Sequence, residues 1–164
     1  MSRLTLLMLL FMSDSAIGDA VDDYFNRGVL GVAWGSKLEV VQSRYPNGST
    51  WNTAAVDGSF FAYEVPVPAK LFGLDEANLV VHFSFNEFEQ LCLVNLLYRY
   101  DQREAVMYHV AEALGHYYLT RNEKHQLITQ WKSESKILVS LATGDGPPHT
   151  WVRLVIDANK LVTK

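Results

Sequence analysis

Five histidines are the residues of this chain best suited to acid–base or metal chemistry. His109 and His116 lie seven positions apart, whereas zinc-binding helices usually present two histidines four positions apart beside an acid. His82 lies in an alternating apolar stretch, and His125 and His149 lie in turn-forming segments. A general base also needs a positioned partner, which sequence spacing does not supply. The sequence therefore predicts no catalytic residue, no metal site and no cofactor, and a histidine-dependent hydrolase is the least favoured function.

Other groups that could carry chemistry give no stronger signal. No serine stands in a Gly-x-Ser-x-Gly elbow, and the glycines at Gly31 and Gly35 lack the Gly-Lys-Ser/Thr end of a phosphate loop. The single cysteine, Cys92, excludes an intramolecular disulfide and is expected to be a small buried apolar residue. The net charge of −4 comes without a basic stripe, so nucleic acid is not predicted as a partner.

The polar residues that remain as binding candidates must be positioned by the sheet, and its clearest predicted part is an antiparallel hairpin over Leu79–Tyr100. Apolar residues alternate with others along two runs joined by Asn86–Gln90, which is the period of strands with one buried face. The linker has the length of a common hairpin loop and is polar except at Phe88. The less apolar face of the hairpin contains Val80, His82, Ser84, Leu93, Asn95, Leu97 and Arg99.

Two helices are predicted from capping signals. Ser36 and Glu39 have the spacing of a capping box, and Pro46 ends the helix that follows. Asp101 and Glu104 repeat that spacing before an apolar helical stripe. Each predicted helix therefore precedes a run of strands.

Further strands are predicted where short apolar runs lie between turn signals. Pro66 and Pro68 are expected to end one strand, which leaves Ala69–Asn78 as a connection into the hairpin. The strands outside the hairpin are predicted at Ser49–Val56, Phe60–Val67, Gln126–Lys132, Lys136–Ala142 and Thr150–Asp157.

These elements predict an α+β fold, a mainly antiparallel, meandering sheet of about six or seven strands with two helices on one face. The halves 31–100 and 101–158 are architecturally similar, because each has a capped helix, a tryptophan-bearing strand (Trp51 or Trp131) and a meander. The first half has one strand more. With 164 residues, 49% apolar, the chain fits a single domain over 21–164.

Residues 1–20 have the pattern of a secretory signal. Arg3 precedes the mostly apolar run Leu4–Met12, and small-x-small cleavage patterns end at Gly18 and at Ala20. The run is too short to span a bilayer, so no membrane span is predicted. We expect a periplasmic or secreted protein, or a cytoplasmic one if residues 1–20 are not cleaved.

The segment Gly31–Pro46 begins a helix just after Trp34-Gly35-Ser36 and closes it on Tyr45-Pro46, before meandering strands. In this order the chain resembles small exported helix-plus-antiparallel-sheet domains, namely the BamE-type assembly lipoproteins and the tandem-repeat beta-lactamase inhibitory proteins. It differs from both, since it has no lipidated cysteine and no disulfide pairs. The resemblance implies binding of another protein by an exposed sheet face or loop.

The favoured function is an exported, non-enzymatic protein-binding module, an interaction protein, inhibitor or assembly factor. Its partner is expected to be another protein, bound by the sheet face opposite the helices and by loops. The predicted binding residues are His82, Asn95, Arg99, Trp151 and Arg153.

The alternative is a small-ligand carrier with a pocket between sheet and helices. Tyrosine combines an apolar ring with a polar tip, and five tyrosines crowd the junction of the hairpin and the second helix. They are Tyr98, Tyr100, Tyr108, Tyr117 and Tyr118.

Overall fold

The computed structural model of the protein describes residues 16–52, 60–117, 119–123, 126–144 and 151–162. These residues form one antiparallel sheet of eight strands with helices, an α+β fold. The helices are α1 (Ala16–Phe25), α2 (Leu38–Arg44), α3 (Arg103–Leu114) and α4 (Asn159–Val162). The strands are β1 (Ser49–Asn52), β2 (Phe61–Leu71), β3 (Leu74–Phe85), β4 (Leu91–Arg99), β5 (Leu119–Glu123), β6 (Gln126–Lys132), β7 (Leu138–Gly144) and β8 (Trp151–Asp157).

The strand order is β1-β2-β3-β4-β8-β7-β6-β5, and all pairings are antiparallel. Strands β1 to β4 form one meander and β5 to β8 form a second. The last strands of the two meanders pair with each other, so Leu93–Arg99 lies against Trp151–Asp157. The order is therefore symmetric about the β4–β8 pair, and residues far apart in sequence meet at the centre of the sheet.

One face of the sheet forms the hydrophobic core with the helices. Val65, Val81, Leu96, Leu154 and Leu141 are in register across five neighbouring strands, and all are buried. Side chains of three helices belong to the same cluster, namely Val21, Phe25, Val41, Val106, Val110 and Leu114. Because side chains alternate along each strand, the intervening residues point to the other side of the sheet.

The central hairpin is confirmed. Strands β3 and β4 are joined by residues 86–90, and His82 pairs with Asn95 while Val81 pairs with Leu96. The side chain of Asn86 orders the loop, because its Oδ1 accepts hydrogen bonds of 3.0 Å from the backbone N–H of both Phe88 and Gln90. An asparagine that satisfies neighbouring backbone groups in this way favours a turn.

The predicted strand number is too low. Strand β5 forms over Leu119–Glu123, where no strand was predicted, and it gives the second half as many strands as the first. Its register with β6 pairs Arg121 with Ile128. Edge strands are often short and charged, which explains why its local sequence lacks a strand pattern.

The prediction that prolines end the second strand is wrong. Strand β2 continues through Pro66 and Pro68 to Leu71, with a register shift between Val67 and Ala69. In the described residues β1 pairs with β2 only up to Glu64, so the outer side of β2 beyond that point is an edge where a missing N–H is tolerated. The predicted connection Ala69–Asn78 is instead the turn end of a β2–β3 hairpin.

The turn of that hairpin is tight. Phe72 and Gly73 have φ of +54° and +80°, and both are needed in a two-residue turn that matches the twist of the strands. Phenylalanine at the first of these positions hid the turn from the sequence, because Asn or Asp is the usual signal there.

Both predicted capping boxes are wrong. The cap of α2 is Lys37, and Ser36 lies one position before it and makes no side-chain cap. Arg103 begins α3 after a short 3₁₀ turn, and Asp101 pairs with the side chain of Arg99 instead of capping the helix. The helices themselves are present because their apolar faces are buried, since packing outweighs capping in setting helix stability.

Two helices were not predicted. Helix α1 spans Ala16–Phe25, so it overlaps the predicted signal of residues 1–20. Its residues Val21 and Phe25 are fully buried against the sheet. The short α4 follows β8 at the C-terminal end of the described chain.

Candidate functional site

The sheet face opposite α1, α2 and α3 is the candidate site, and we call it the open face. No helix of the described residues contributes to it, because the helical side chains belong to the core on the other side. Its middle row contains Glu64, His82, Asn95, Val155, Ser140, Gln130 and Leu119, and the next row contains Pro66, Val80, Leu97, Arg153, Ala142, Ile128 and Arg121.

The five residues predicted to bind a partner lie together on the open face. His82 is in register with Asn95, and Arg99 is in register with Trp151. Arg153 is in register with Leu97 on the neighbouring strand. All five therefore occupy three adjacent strands, β3, β4 and β8. Their role in binding stays a prediction.

The part of the open face on β1–β3 carries an aromatic ring and an acid–base pair. Nε2 of His82 lies 2.8 Å from Oε2 of Glu64 across the β2–β3 ladder. The indole of Trp51 meets the imidazole edge to face, with ring centroids 5.3 Å apart. Trp51 is 37% exposed, so this cluster lies at the surface.

The His82–Glu64 pair has the spacing that acid–base chemistry requires. Ser84 follows His82 on the same face and is fully buried, and its Oγ makes no hydrogen bond to a described residue. A hydroxyl that neither meets a base nor reaches solvent cannot attack a substrate. Ser84 therefore does not serve the pair as a nucleophile.

The other histidines form no site in the described chain. His109 lies 3.8 Å from Glu112 on α3, and His116 is exposed beyond the end of that helix. His125 and His149 lie outside the described residues. Among the residues that are described, no three His, Cys, Asp or Glu side chains come close enough to hold a metal ion.

The part of the open face on β5–β8 contains a shallow depression of about 310 Å³. Arg121 and Arg153 lie on it, with Trp151, and its floor is formed by residues such as Ser140 and Ala142. Among the described residues, no acidic one lines it. We call this the arginine depression, and sequence reasoning did not find Arg121 because the strand that carries it was missed.

Arg153 is half-buried in the arginine depression. Its cross-strand neighbours are Leu97 on one side and Ala142 on the other, and neither offers a hydrogen-bond acceptor from its side chain. Its guanidinium carbon lies 6.0 Å from the ring centroid of Trp151. Arg153 Nε is buried and makes no hydrogen bond to any described residue. Arg153 thus places a positive charge and an unpaired hydrogen-bond donor beside the Trp151 ring and the neighbouring strands.

The β3–β4 loop displays a second surface feature, the side chain of Phe88. It is 60% exposed, although the loop around it is ordered by Asn86. Lys37 donates a hydrogen bond of 2.6 Å to the carbonyl oxygen of Phe88 and joins the loop to the start of α2. Phe88 was not among the predicted site residues. The sequence nevertheless indicated it, because Phe88 is the one apolar residue of a polar loop.

The tyrosine cluster expected to line a ligand pocket is dispersed. Tyr98 is buried in the core, whereas Tyr108 is exposed on α3 and Tyr117 is exposed beyond the end of that helix. Tyr118 lies outside the described residues. Burial, together with the nearby charge of Glu76, raises the pKa of the Tyr98 hydroxyl above its usual value.

No protein-family model, curated protein or solved structure matches this chain. The resemblance to BamE-type lipoproteins and beta-lactamase inhibitory proteins therefore stays a prediction. Within the described ranges, no helix is both long and apolar enough to cross a membrane.

Proposed function

We propose that this chain is a non-enzymatic module that binds another protein with its open face and the Phe88 loop. The observation that carries the proposal is a sheet face that no described helix covers and that is exposed in part, although residues such as Ser84 and Asn95 on it are buried. That face has exposed apolar side chains beside hydrogen-bonding ones, including Trp51, Val80 and Leu119, each more than one-third exposed. Uncovered patches of this mixed kind are typical of protein-binding surfaces.

The size of the open face fits a protein partner. Eight strands spaced by roughly 4.8 Å are about 34 Å wide, and seven residues per strand extend about 23 Å, which gives roughly 800 Å². That area is close to what one partner buries in a standard interface. Trp151 and the arginines beside it belong to the residue types that most often dominate binding energy. Trp151 is therefore the expected anchor.

The carrier alternative has less support. The space between helices and sheet is filled by fully buried side chains, among them Phe25, Phe83, Leu96 and Trp131. A binding cavity there would require several of these side chains to move, at the cost of their packing. Of the tyrosines expected to line it, Tyr98 is buried in the core, whereas Tyr108 and Tyr117 are exposed.

We further propose that the module acts after export, and the support is the signal-like pattern of residues 1–20. Cleavage after Gly18 or Ala20 would leave Val21 and Phe25, the buried residues of α1, in the mature chain. N-terminal sequencing of the protein recovered from the expressing cells tests this, and an intact Met1 would contradict it.

The binding proposal is tested by affinity capture of tagged full-length chain from an envelope extract, followed by binding measurements with the purified partner. We expect Trp151→Ala and Arg99→Glu each to weaken binding at least about tenfold without unfolding the chain. Tyr108→Ala is the matched control, because Tyr108 is an exposed aromatic residue on the helix side. Equal binding by all variants, or equal loss in the control, would show that the open face is not the interface.

A further inference from the structure

The arginine depression differs in charge from the protein as a whole. The chain has a net charge of −4, yet the described residues that line the depression include two arginines and no acid. Outside it on the same face, Lys132 and Asp157 carry opposite charges, so the positive excess belongs to the depression itself. A local excess of one sign on an acidic protein attracts groups of the opposite sign.

The hydrogen bonding of Arg153 identifies the spot where such a group would bind. Its Nε is buried and makes no hydrogen bond within the described chain. An acceptor that reached this donor would recover the cost of leaving it unpaired. Because Nε is buried beside the Trp151 ring, the guanidinium shifts when such an acceptor binds.

We propose that the arginine depression receives one carboxylate side chain, an Asp or Glu of the protein partner, with Arg153 as the hydrogen-bond donor. This inference rests on the proposed function. Arginine binds carboxylates through charge-assisted hydrogen bonds, and Arg121 adds a second positive charge at the rim. Trp151, Ile128 and Val155 supply apolar walls for the methylene groups of the acidic side chain.

The proposal is tested by NMR of the full-length, ¹⁵N-labelled protein, following the side-chain Nε–H signal of Arg153. The probe is the peptide acetyl-Ala-Glu-Ala-amide, and acetyl-Ala-Gln-Ala-amide is the neutral control of the same shape. We expect the glutamate peptide to shift the Arg153 signal downfield and to bind at least about tenfold more tightly than the glutamine peptide. Equal binding of the two peptides, or no shift of the signal, would overturn the proposal.

Two variants and one further probe sharpen the result. Arg153→Gln is expected to abolish the preference for the glutamate peptide, while Lys132→Gln, which removes an exposed charge on the same face, is expected to keep it. The same loss in both variants would mean general attraction by positive charge and would contradict a specific site. Inorganic phosphate is titrated in parallel, and binding as tight as that of the glutamate peptide would overturn the assignment to a protein side chain.

Failure of this inference can be distinguished from failure of the proposed function. If Trp151→Ala weakens binding of the captured partner but the glutamate peptide does not bind, the open face is an interface and the carboxylate assignment alone is wrong. If the peptide binds at Arg153 but no open-face variant affects partner binding, the depression is a carboxylate site and the proposed interface is wrong.

Discussion

Trp131 and Gly115 are joined by a hydrogen bond of 3.0 Å from the indole N–H to the backbone carbonyl oxygen. Gly115 ends α3, so this bond connects the last turn of that helix to strand β6. Trp131 is 1% exposed, and its ring belongs to the core. The chain thus uses tryptophan in two ways, in the core at Trp131 and on the open face at Trp151.

This difference predicts that Trp131→Phe will lower the free energy of unfolding by about 2–3 kcal/mol, because it creates a cavity and leaves a carbonyl unpaired. Trp151→Phe is the matched control and should change the free energy of unfolding by no more than about 0.5 kcal/mol, since Trp151 is only half-buried. Urea denaturation measures both values. Similar losses in the two variants would contradict the separation of a structural from a surface tryptophan.

In the β3–β4 loop, we expect Phe88 to contribute to binding and Asn86 to contribute to stability. Phe88→Ser should leave the unfolding midpoint unchanged and weaken partner binding, because Phe88 is mostly exposed. Asn86→Ala should lower the free energy of unfolding by about 1–2 kcal/mol, because two backbone N–H groups lose their acceptor. Thermal unfolding and binding to the purified partner test the pair. Destabilisation by Phe88→Ser would show that its ring is part of the packing.

Gly28 and Gly35 both have positive φ, of +132° and +79°, but their surroundings differ. A Cβ at Gly28 would lie 1.9 Å from the carbonyl oxygen of Val32, whereas nothing lies within 4 Å of a Cβ at Gly35. Gly35→Ala should therefore cost about 1 kcal/mol of stability from backbone strain alone.

Gly28→Ala should cost more than about 3 kcal/mol, because the backbone bridge between Val29 and Val32 must open to remove the clash. Denaturant unfolding of the two variants in parallel measures the difference. A difference of less than about 1 kcal/mol would mean that the loop 28–32 rearranges easily to remove the clash.

The sequence predicted the central hairpin and its two faces because strand alternation is a local property. Val81 and His82 point to opposite sides whatever the rest of the chain does, so the two faces of the hairpin could be distinguished before the structure, but not which of them is exposed. The strand β5 could not be predicted, since its polar sequence becomes a strand only by pairing with β6. The β2–β3 turn was missed because Phe72 occupies a position where asparagine is usual.

The sequence predicted five residues that lie together on the open face, but it did not predict which of them are neighbours across the strands. The proximity of Asn95 and Arg99 to Val155 and Trp151 depends on pairing between β4 and β8, which are far apart in the chain. No local pattern specifies such a pairing, because it is selected by the packing of the whole sheet. Trp51 and Trp131 are both on strands, but the order of elements could not show that they lie on opposite faces of the sheet.

The buried hydroxyl of Tyr98 is expected to make the stability of the folded chain depend on pH. Burial, and secondly the charge of Glu76, raises the pKa of its hydroxyl above the unfolded value of about 10. The folded state therefore keeps the proton at a pH where the unfolded state has lost it. The stabilisation due to the neutral hydroxyl is complete below about pH 10, and it decreases above that pH by at most about 1.4 kcal/mol per pH unit.

We expect the free energy of unfolding of the native chain to fall between pH 9 and pH 11 more steeply than that of Tyr98→Phe, which cannot ionise at this position. Urea denaturation at intervals across that range measures both slopes. Tyr108→Phe controls for ionisation in general, because Tyr108 is 63% exposed and should leave the native slope unchanged. Parallel slopes for the native chain and Tyr98→Phe would show that the hydroxyl reaches solvent, because only a buried hydroxyl couples its ionisation to unfolding.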